Sequence, residues 1–188
     1  MKLRLVTSNK HKLEEYRQGL SLLGLEVEHL DVECDEIQTD TLQKVVRACL
    51  EQLKRDGHRN FMLDDSGLFV PSLNGFPGVY SAYVMQTIGC QGMLRLLGGL
   101  DRQAYFECCI GVCSEELGEF AVTARSPGRI IEEERGNDGF GYDPIFVPEG
   151  RELTFAEMKM EMKNECSHRG RAMTELVAKL RNRMEGRG

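Results

Sequence analysis

The chain has 188 residues, 41% of them hydrophobic, and a formal net charge of −6 at neutral pH. This size and composition are typical of a globular protein with one domain or two small lobes. The negative charge argues against a polymeric nucleic acid as partner, since such partners usually require a basic face. No apolar run approaches the roughly 20 residues that span a membrane. The N-terminus lacks a signal-peptide pattern, which predicts a cytoplasmic protein.

Apolar periodicity predicts alternating strands and helices at the start of the chain. Alternating apolar residues indicate strands, whereas apolar residues three or four apart indicate helices. The second helix has the clearest apolar stripe, with Asp40 or Thr41 as its N-cap. The predicted elements are a strand at 3–7, a helix at 10–23, a strand at 25–32, a helix from 42 that ends before Gly57, a strand at 60–65, a helix at about 82–97, strands at 104–114 and 119–126, and a last helix at about 167–184.

The order of these elements predicts an α/β fold with a mixed sheet. Strand, helix and strand at the start indicate a βαβ unit with parallel strands. The residues EELG between the two later strands predict an antiparallel hairpin. No linker rich in Pro, Ser or Gly separates the halves, so residues 1–188 are predicted to form a single two-lobed domain.

Seven cysteines are present, without a C-x-x-C pair. Their odd number and scattered spacing predict small buried hydrophobic residues in a reducing compartment, rather than metal ligands or redox groups.

The stretch TSNKHK (7–12) stands where the first strand turns into the first helix. Free backbone N–H groups at a helix N-terminus favour an anion, and Lys10 and Lys12 add positive charge. The alternative is an ordinary helix cap followed by a solvated charged face. The stretch lacks the G-x-x-x-x-G-K-[ST] pattern, so a P-loop is not indicated.

The stretch LDDSG (63–67) places Asp64 and Asp65 at the predicted end of an apolar strand, where α/β sheets bind ligands. Neighbouring strand residues face opposite sides, although this restraint relaxes at a strand end. The carboxylates could hold Mg²⁺, or one could take a proton from an attacking water. The alternative is a turn, because D-S-G is common in turns.

The stretch DGFGYDPIF (138–146) is predicted to form a shaped loop that presents aromatic rings and Asp143. Gly139 and Gly141 disfavour regular structure, and a residue before proline is extended. Phe140 can stack on a nucleobase. The alternative is a turn with two half-buried aromatic residues.

The stretch MKNECSHRGRAM (162–173) leads into the last helix, with Ser167 as a plausible N-cap. His168 and Arg169 could read the edge of a ligand or pair with phosphate. The alternative is a solvated charged face. Together the four stretches supply an anion site, carboxylates for a metal, a stacking ring and a donor cluster, which are the parts of a nucleotide phosphohydrolase site.

These stretches resemble the inosine/xanthosine triphosphate pyrophosphatases. TSNKHK is similar to that family's T-G-N-x-x-K, with Ser8 in place of the glycine, and residues 64–83 are similar to its D-D-S-G-L-x-V-x-x-L-x-G-x-P-G-x-Y-S-A. GFGYDPIF and KNECSHRGRAM match its F-G-Y-D-P-x-F and K-N-x-x-S-H-R-x-x-A segments. All four occur in family order.

The resemblance implies an elongated mixed sheet with flanking helices, two lobes around a central cleft, and a homodimer. It implies Mg²⁺-dependent hydrolysis of ITP, dITP and XTP to the monophosphate and pyrophosphate, which cleanses the nucleotide pool. Two alternatives stay open: a pyrophosphatase for other modified or canonical triphosphates, and a non-catalytic nucleotide-binding module.

The resemblance also assigns roles to individual residues. Glu36 and Asp65 would hold the metal, with Asp65 as general base and Lys12 as a further catalytic residue. The substrate would be bound by Thr7, Ser8, Asn9, Lys10, His11, Lys12, Lys44, Ser66, Phe140, Gly141, Tyr142, Asp143, Lys163, His168 and Arg169.

Overall fold

The computed structural model describes residues 2–7, 9–21, 23–35 and 37–186, and of Lys10 and His11 it describes the backbone alone. The regular structure of this part of the chain consists of six strands, six α-helices and three short 3-10 helices. The strands are β1 (Lys2–Val6), β2 (Glu26–Leu30), β3 (Phe61–Phe69), β4 (Gln103–Ser114), β5 (Gly118–Ile130) and β6 (Phe146–Pro148). The helices are α1 (Lys10–Ser21), α2 (Leu42–Arg55), α3 (Ser81–Thr87), α4 (Gly89–Leu96), α5 (Met160–Cys166) and α6 (His168–Glu185).

The strands form one sheet in the order β2-β1-β3-β4-β5-β6. β1 pairs in parallel with both β2 and β3, whereas β5 and β6 are antiparallel. The predicted βαβ start and the mixed α/β class are therefore confirmed. The predicted cap of α2 is also confirmed, because the Thr41 hydroxyl accepts a hydrogen bond from the Lys44 backbone N–H.

Two predictions about the elements were wrong, and two elements were missed. The strand predicted at 60–65 continues to Phe69, so Asp64 and Asp65 lie inside β3 rather than at its end, and D-S-G does not form a turn. The helix predicted at 82–97 is two helices, because Gly89 has a φ of +61°, a left-handed conformation that ends α3. The short strand β6 and helix α5 were not predicted at all.

The chain divides into two compact units. The first unit consists of Met1–Asp65, Cys109–Thr123 and Ala172–Gly188. Its buried residues include the β1 side chains Leu3 and Leu5 and the apolar stripe of α2. The second unit consists of Ser66–Cys108 and Ala124–Arg171. Its core is built on the aromatic residues Phe106, Phe146 and Phe155, which pack against one another.

The prediction that all cysteines are separate buried residues was wrong for two of them. Cys34, in the segment before α2, is bonded to Cys49 of that helix. Five further cysteines are buried thiols outside any disulfide, as predicted: Cys90, Cys108, Cys109, Cys113 and Cys166. The sequence does not reveal this pair, because it forms only when the segment before α2 folds back on that helix.

Among the described residues, no helix combines the length and the apolar character needed to cross a membrane.

Candidate active site

The turn from β1 to α1 is organised by its own side chains. The Thr7 hydroxyl accepts a hydrogen bond from the Asn9 backbone N–H at 3.1 Å, and the Asn9 side-chain oxygen accepts from the Lys12 N–H at 3.4 Å. Asn9 thereby caps α1, which satisfies one of the N–H groups that a helix N-terminus leaves open. Ser8 lies outside the described residues.

Lys12 forms an ion pair with Asp64 of β3. Its ammonium lies 3.1 Å from Asp64 Oδ1, and the Asp64 side chain is 0% exposed while that of Lys12 is 19% exposed. The contact is possible because β1 and β3 are parallel neighbours, with Val6 opposite Leu63. The pair holds the lysine ammonium beside the carboxyl end of β1, which is the usual ligand side of such a sheet.

Asp64 and Asp65 are separated by the geometry of their strand. Because β3 continues past both residues, their side chains point to opposite faces. Asp64 is committed to Lys12, whereas Asp65 is half-buried. The hypothesis that the two carboxylates together hold one ion is therefore not supported, and Asp65 is the member suited to ligand chemistry.

Lys44 and Glu36 are two further candidates of the first unit. Lys44, near the start of α2, is exposed and pairs with Asp40 at 2.7 Å. Glu36, the other predicted metal ligand, lies outside the described residues. Within the part of the chain that the structure describes, no group of three or more Asp, Glu, His or Cys side chains forms a metal site. The oxygen of Asp65 still fits a hard cation such as Mg²⁺.

In the second unit, Asp143 holds the loop at 138–146 in shape. The side chain of Asp143 is buried, and its Oδ2 accepts hydrogen bonds from the Phe140 N–H at 2.8 Å and from the Lys163 ammonium at 2.7 Å. Gly139 has a φ of +81°, and a Cβ there would lie 2.2 Å from the same Oδ2. Asp143 therefore anchors the loop, and only glycine leaves room for its carboxylate.

Of the three aromatic rings in residues 138–146, only that of Phe140 is presented to solvent. Phe140 is 47% exposed, and its ring lies 5.1 Å from the Lys163 ammonium and 5.6 Å from the Arg169 guanidinium carbon. Tyr142 is buried and donates its hydroxyl hydrogen to the Ser81 carbonyl at 2.9 Å. Burial raises the pKa of Tyr142, which keeps its hydroxyl protonated as a donor.

A buried thiol donates a hydrogen bond to the backbone of the same loop. Cys90 Sγ donates to the Gly141 carbonyl at 3.5 Å, and burial raises the pKa of Cys90 to about 11. The thiol is therefore protonated at neutral pH and remains a donor. Neither Cys90 nor Tyr142 was predicted in this supporting role, because the contacts link segments that are 51 and 61 residues apart.

The donors at the start of α6 are buried, so the alternative of a solvated charged face was wrong. His168 and Arg169 are each 6% exposed. The His168 ring stacks on Phe106 with their centroids 4.7 Å apart. Ser167 caps the helix as predicted, since its hydroxyl accepts from the Gly170 N–H at 3.1 Å. These contacts fix the first turn of α6 in the second unit.

The predicted site residues thus fall into two groups. The first unit brings together Thr7, Asn9, Lys12 and Asp64, and also contains Asp65 and Lys44. The second unit brings together Phe140, Asp143, Lys163 and Arg169, with His168 next to Arg169, and half-buried Ser66 belongs to the same unit. The first group is suited to phosphates and the second to an aromatic ring with polar edges.

Comparison with known proteins shows to which protein family this chain belongs. The model of the Ham1 family matches residues 3–179, and the chain belongs to that family. A dITP/XTP pyrophosphatase of Thermococcus kodakarensis is 50% identical over 186 residues, covering 98% of this chain and all of the relative. One from Pyrococcus horikoshii is 48% identical over 174 residues, covering 92% and 93% of the two chains.

Solved structures agree with the fold. The Staphylococcus aureus Ham1 protein superposes with a TM-score of 0.86 at 27% identity, covering 97% of this chain and 99% of that one. A nucleoside-triphosphatase/dITP/XTP pyrophosphatase of Mycobacterium abscessus has a TM-score of 0.73 at 34% identity, covering 96% and 100%. The family resemblance predicted from the four stretches is confirmed.

Proposed function

We propose that this protein hydrolyses non-canonical purine nucleoside triphosphates, ITP, dITP and XTP, to the monophosphate and pyrophosphate. The observation that carries the proposal is the arrangement around Phe140, where a half-exposed ring is flanked by the partly buried ammonium of Lys163 and the buried guanidinium of Arg169. Relatives with 41–50% identity over nearly the whole chain are named dITP/XTP pyrophosphatases, which supports the same conclusion.

The residues of the second unit account for the choice of base. Stacking on an aromatic ring contributes about 1–3 kcal/mol per base whatever its identity, so Phe140 would bind purines in general. Discrimination between one purine and another requires polar groups that face the edge of the base. Hypoxanthine and xanthine carry a keto oxygen at position 6, which accepts a hydrogen bond, whereas adenine carries an amino group there. A site that directs Arg169 or His168 donors at this position would reject ATP, because buried donors facing an amino group lose their partners.

The residues of the first unit account for the hydrolysis. Asp65 would act as the general base that takes a proton from the attacking water. Lys12, held by Asp64, and the backbone at the start of α1 would offset negative charge on the triphosphate. Mg²⁺, bound through carboxylate oxygens of Asp65 and Glu36, would supply further positive charge for the leaving pyrophosphate.

Homodimer formation is part of the proposal, as the family resemblance implies. Several large apolar side chains of the second unit are exposed in the single chain, among them Tyr80, Tyr83, Ile88 and Leu96. A second copy would remove such a surface from water. Light scattering after size-exclusion chromatography tests this, and a mass near 21.3 kDa would contradict it. The cytoplasmic location stays a prediction.

The proposal is tested by pyrophosphate release from a substrate panel. ITP, dITP, XTP, GTP and ATP are each incubated with the protein and Mg²⁺, alongside Asp65→Asn and the control Asp56→Asn. Asp56 is exposed at the end of α2 and takes part in none of the proposed chemistry. We expect release from ITP, dITP and XTP far above ATP, retained in Asp56→Asn and lost in Asp65→Asn. Equal use of ATP would favour a pyrophosphatase of broader range, and no release from any triphosphate would favour a binding module.

A further inference from the structure

A histidine of the edge strand β2 forms a hydrogen bond with the backbone of the turn between β1 and α1. Nε2 of His29 in β2 lies 2.5 Å from the carbonyl oxygen of Thr7. A carbonyl oxygen can only accept, so Nε2 carries the hydrogen of this bond. Thr7 is the first residue after β1, at the beginning of the turn that leads into α1.

The sheet register explains why His29 can reach this position. β2 runs parallel to β1 with His29 opposite Leu5, so the two side chains share a face of the sheet. Helix α1 is a neighbour of β2, and its Arg17 Nε donates to the Val27 carbonyl at 3.1 Å. The imidazole of this exposed residue therefore reaches Thr7, two residues beyond its partner Leu5 in the ladder.

The bond continues a chain of contacts through the turn. Thr7 accepts from His29 through its carbonyl and from the Asn9 N–H through its hydroxyl, and Asn9 caps α1 at Lys12. Lys12 in turn pairs with Asp64. The Thr7 peptide is the point of this chain that lies just outside the β1–β2 ladder, whose last registered pair is Val6 with Leu30. His29 thus adds a hydrogen bond to a residue that lies beyond the last registered pair of the ladder.

We propose that His29 is a positioning residue for binding of the triphosphate: through the Thr7 carbonyl it sets the geometry of the backbone turn that receives the phosphates. This inference rests on the proposed function. His29 does not contact the substrate itself. Its contribution to phosphate binding is that of one hydrogen bond, which corresponds to a factor of about three to ten in affinity.

The test compares three variants with the unmodified protein. His29→Phe removes the donor and keeps a ring, His29→Gln returns an amide donor near the position of Nε2, and His58→Phe is the matched control. His58 lies in the same unit just after α2, and its ring is in no described contact with the turn. Isothermal calorimetry measures pyrophosphate binding, steady-state kinetics measure KM and kcat for ITP, and thermal unfolding checks that each variant is folded.

We expect His29→Phe to weaken pyrophosphate binding and raise the KM for ITP by about three- to tenfold, with a smaller change in kcat and an unchanged Tm. His29→Gln should recover most of the loss, and His58→Phe should behave like the unmodified protein. Unchanged pyrophosphate affinity in His29→Phe would overturn the inference. So would an equal loss in all three variants, or a loss that His29→Gln does not recover.

The failure of this inference is distinguishable from failure of the proposed function. If the unmodified protein releases no pyrophosphate from ITP, the proposed function is wrong, whereas the calorimetric comparison still reports on His29. If the unmodified protein is active and pyrophosphate binds the His29→Phe variant with undiminished affinity, only the positioning role is wrong. Absence of pyrophosphate binding by the unmodified protein would also overturn the positioning role.

Discussion

Removal of either partner of the ion pair between Asp143 and Lys163 is expected to destabilise the protein and to weaken binding of the base. The two side chains are 4% and 13% exposed and lie 2.7 Å apart, so water screens their charges little. In Asp143→Asn the new amide keeps the size of the side chain, and its oxygen can still accept from the Phe140 N–H. The lysine ammonium, however, loses its counter-charge.

The magnitude follows from the burial of the pair. A hydrogen bond to a charged group contributes about 1.5–3 kcal/mol, and an uncompensated buried charge costs about 3–5 kcal/mol. Because the amide still offers an acceptor, we expect Asp143→Asn to lower the free energy of unfolding by about 2–3 kcal/mol. Lys163→Met, which leaves the carboxylate without its cation, should cost a similar amount.

The assay is urea unfolding followed by circular dichroism, applied to Asp143→Asn, Lys163→Met and the double variant. The two losses should not add, and their coupling energy should be about 2 kcal/mol. The exposed pair of Lys44 with Asp40 is the control, and Asp40→Asn should leave the unfolding midpoint unchanged. The KM for ITP should rise in Asp143→Asn, since Asp143 also holds Phe140. Strict additivity of the two losses would refute the reasoning.

Further predictions concern individual side chains. Asp65→Asn should reduce kcat for ITP by about 10²–10⁴-fold, as expected for loss of a general base, with an unchanged circular dichroism spectrum; near-normal turnover would exclude that role. Arg169→Ala should narrow the ratio of ITP to ATP hydrolysis mainly by losing ITP activity, and an unchanged ratio would assign base selection to other groups. Reduction of the bond between Cys34 and Cys49, which are 15 residues apart, should lower the free energy of unfolding by about 3 kcal/mol, and an unchanged unfolding midpoint in dithiothreitol would contradict this. Because burial raises the pKa of Cys90 to about 11, native protein at pH 8 should not be alkylated by iodoacetamide at this residue, as peptide mass spectrometry can check.

The parts of the fold that could be predicted from the sequence are those with local causes. Apolar spacing located β1, α1 and α2, and the Thr41 cap depends on a residue three positions away. The extension of β3 beyond Asp65 depends instead on distant partners. The Leu68 N–H donates to the Ser81 hydroxyl, and Phe69 forms a bridge with Pro77. The residues D-S-G indicate a turn locally, whereas these later segments and the neighbouring strand β4 favour a strand.

The same distinction applies to the candidate site. The residue types needed for phosphate, metal and base could be recognised in the four stretches. Their burial and contacts could not be predicted, because they depend on distant parts of the chain: the His168 ring stacks on Phe106, which lies 62 positions earlier. The ion pair of Lys12 with Asp64 could not be predicted either. The two residues are 52 positions apart, and they meet because β1 and β3 are parallel neighbours.

The position of bond cleavage tests the central claim most directly. ITP is hydrolysed by the protein with Mg²⁺ in ¹⁸O-labelled water, and the products are examined by ³¹P nuclear magnetic resonance and mass spectrometry. Attack by water at the α-phosphorus predicts one labelled oxygen in inosine monophosphate and unlabelled, intact pyrophosphate. Label in orthophosphate, or orthophosphate as the first product, would contradict the account.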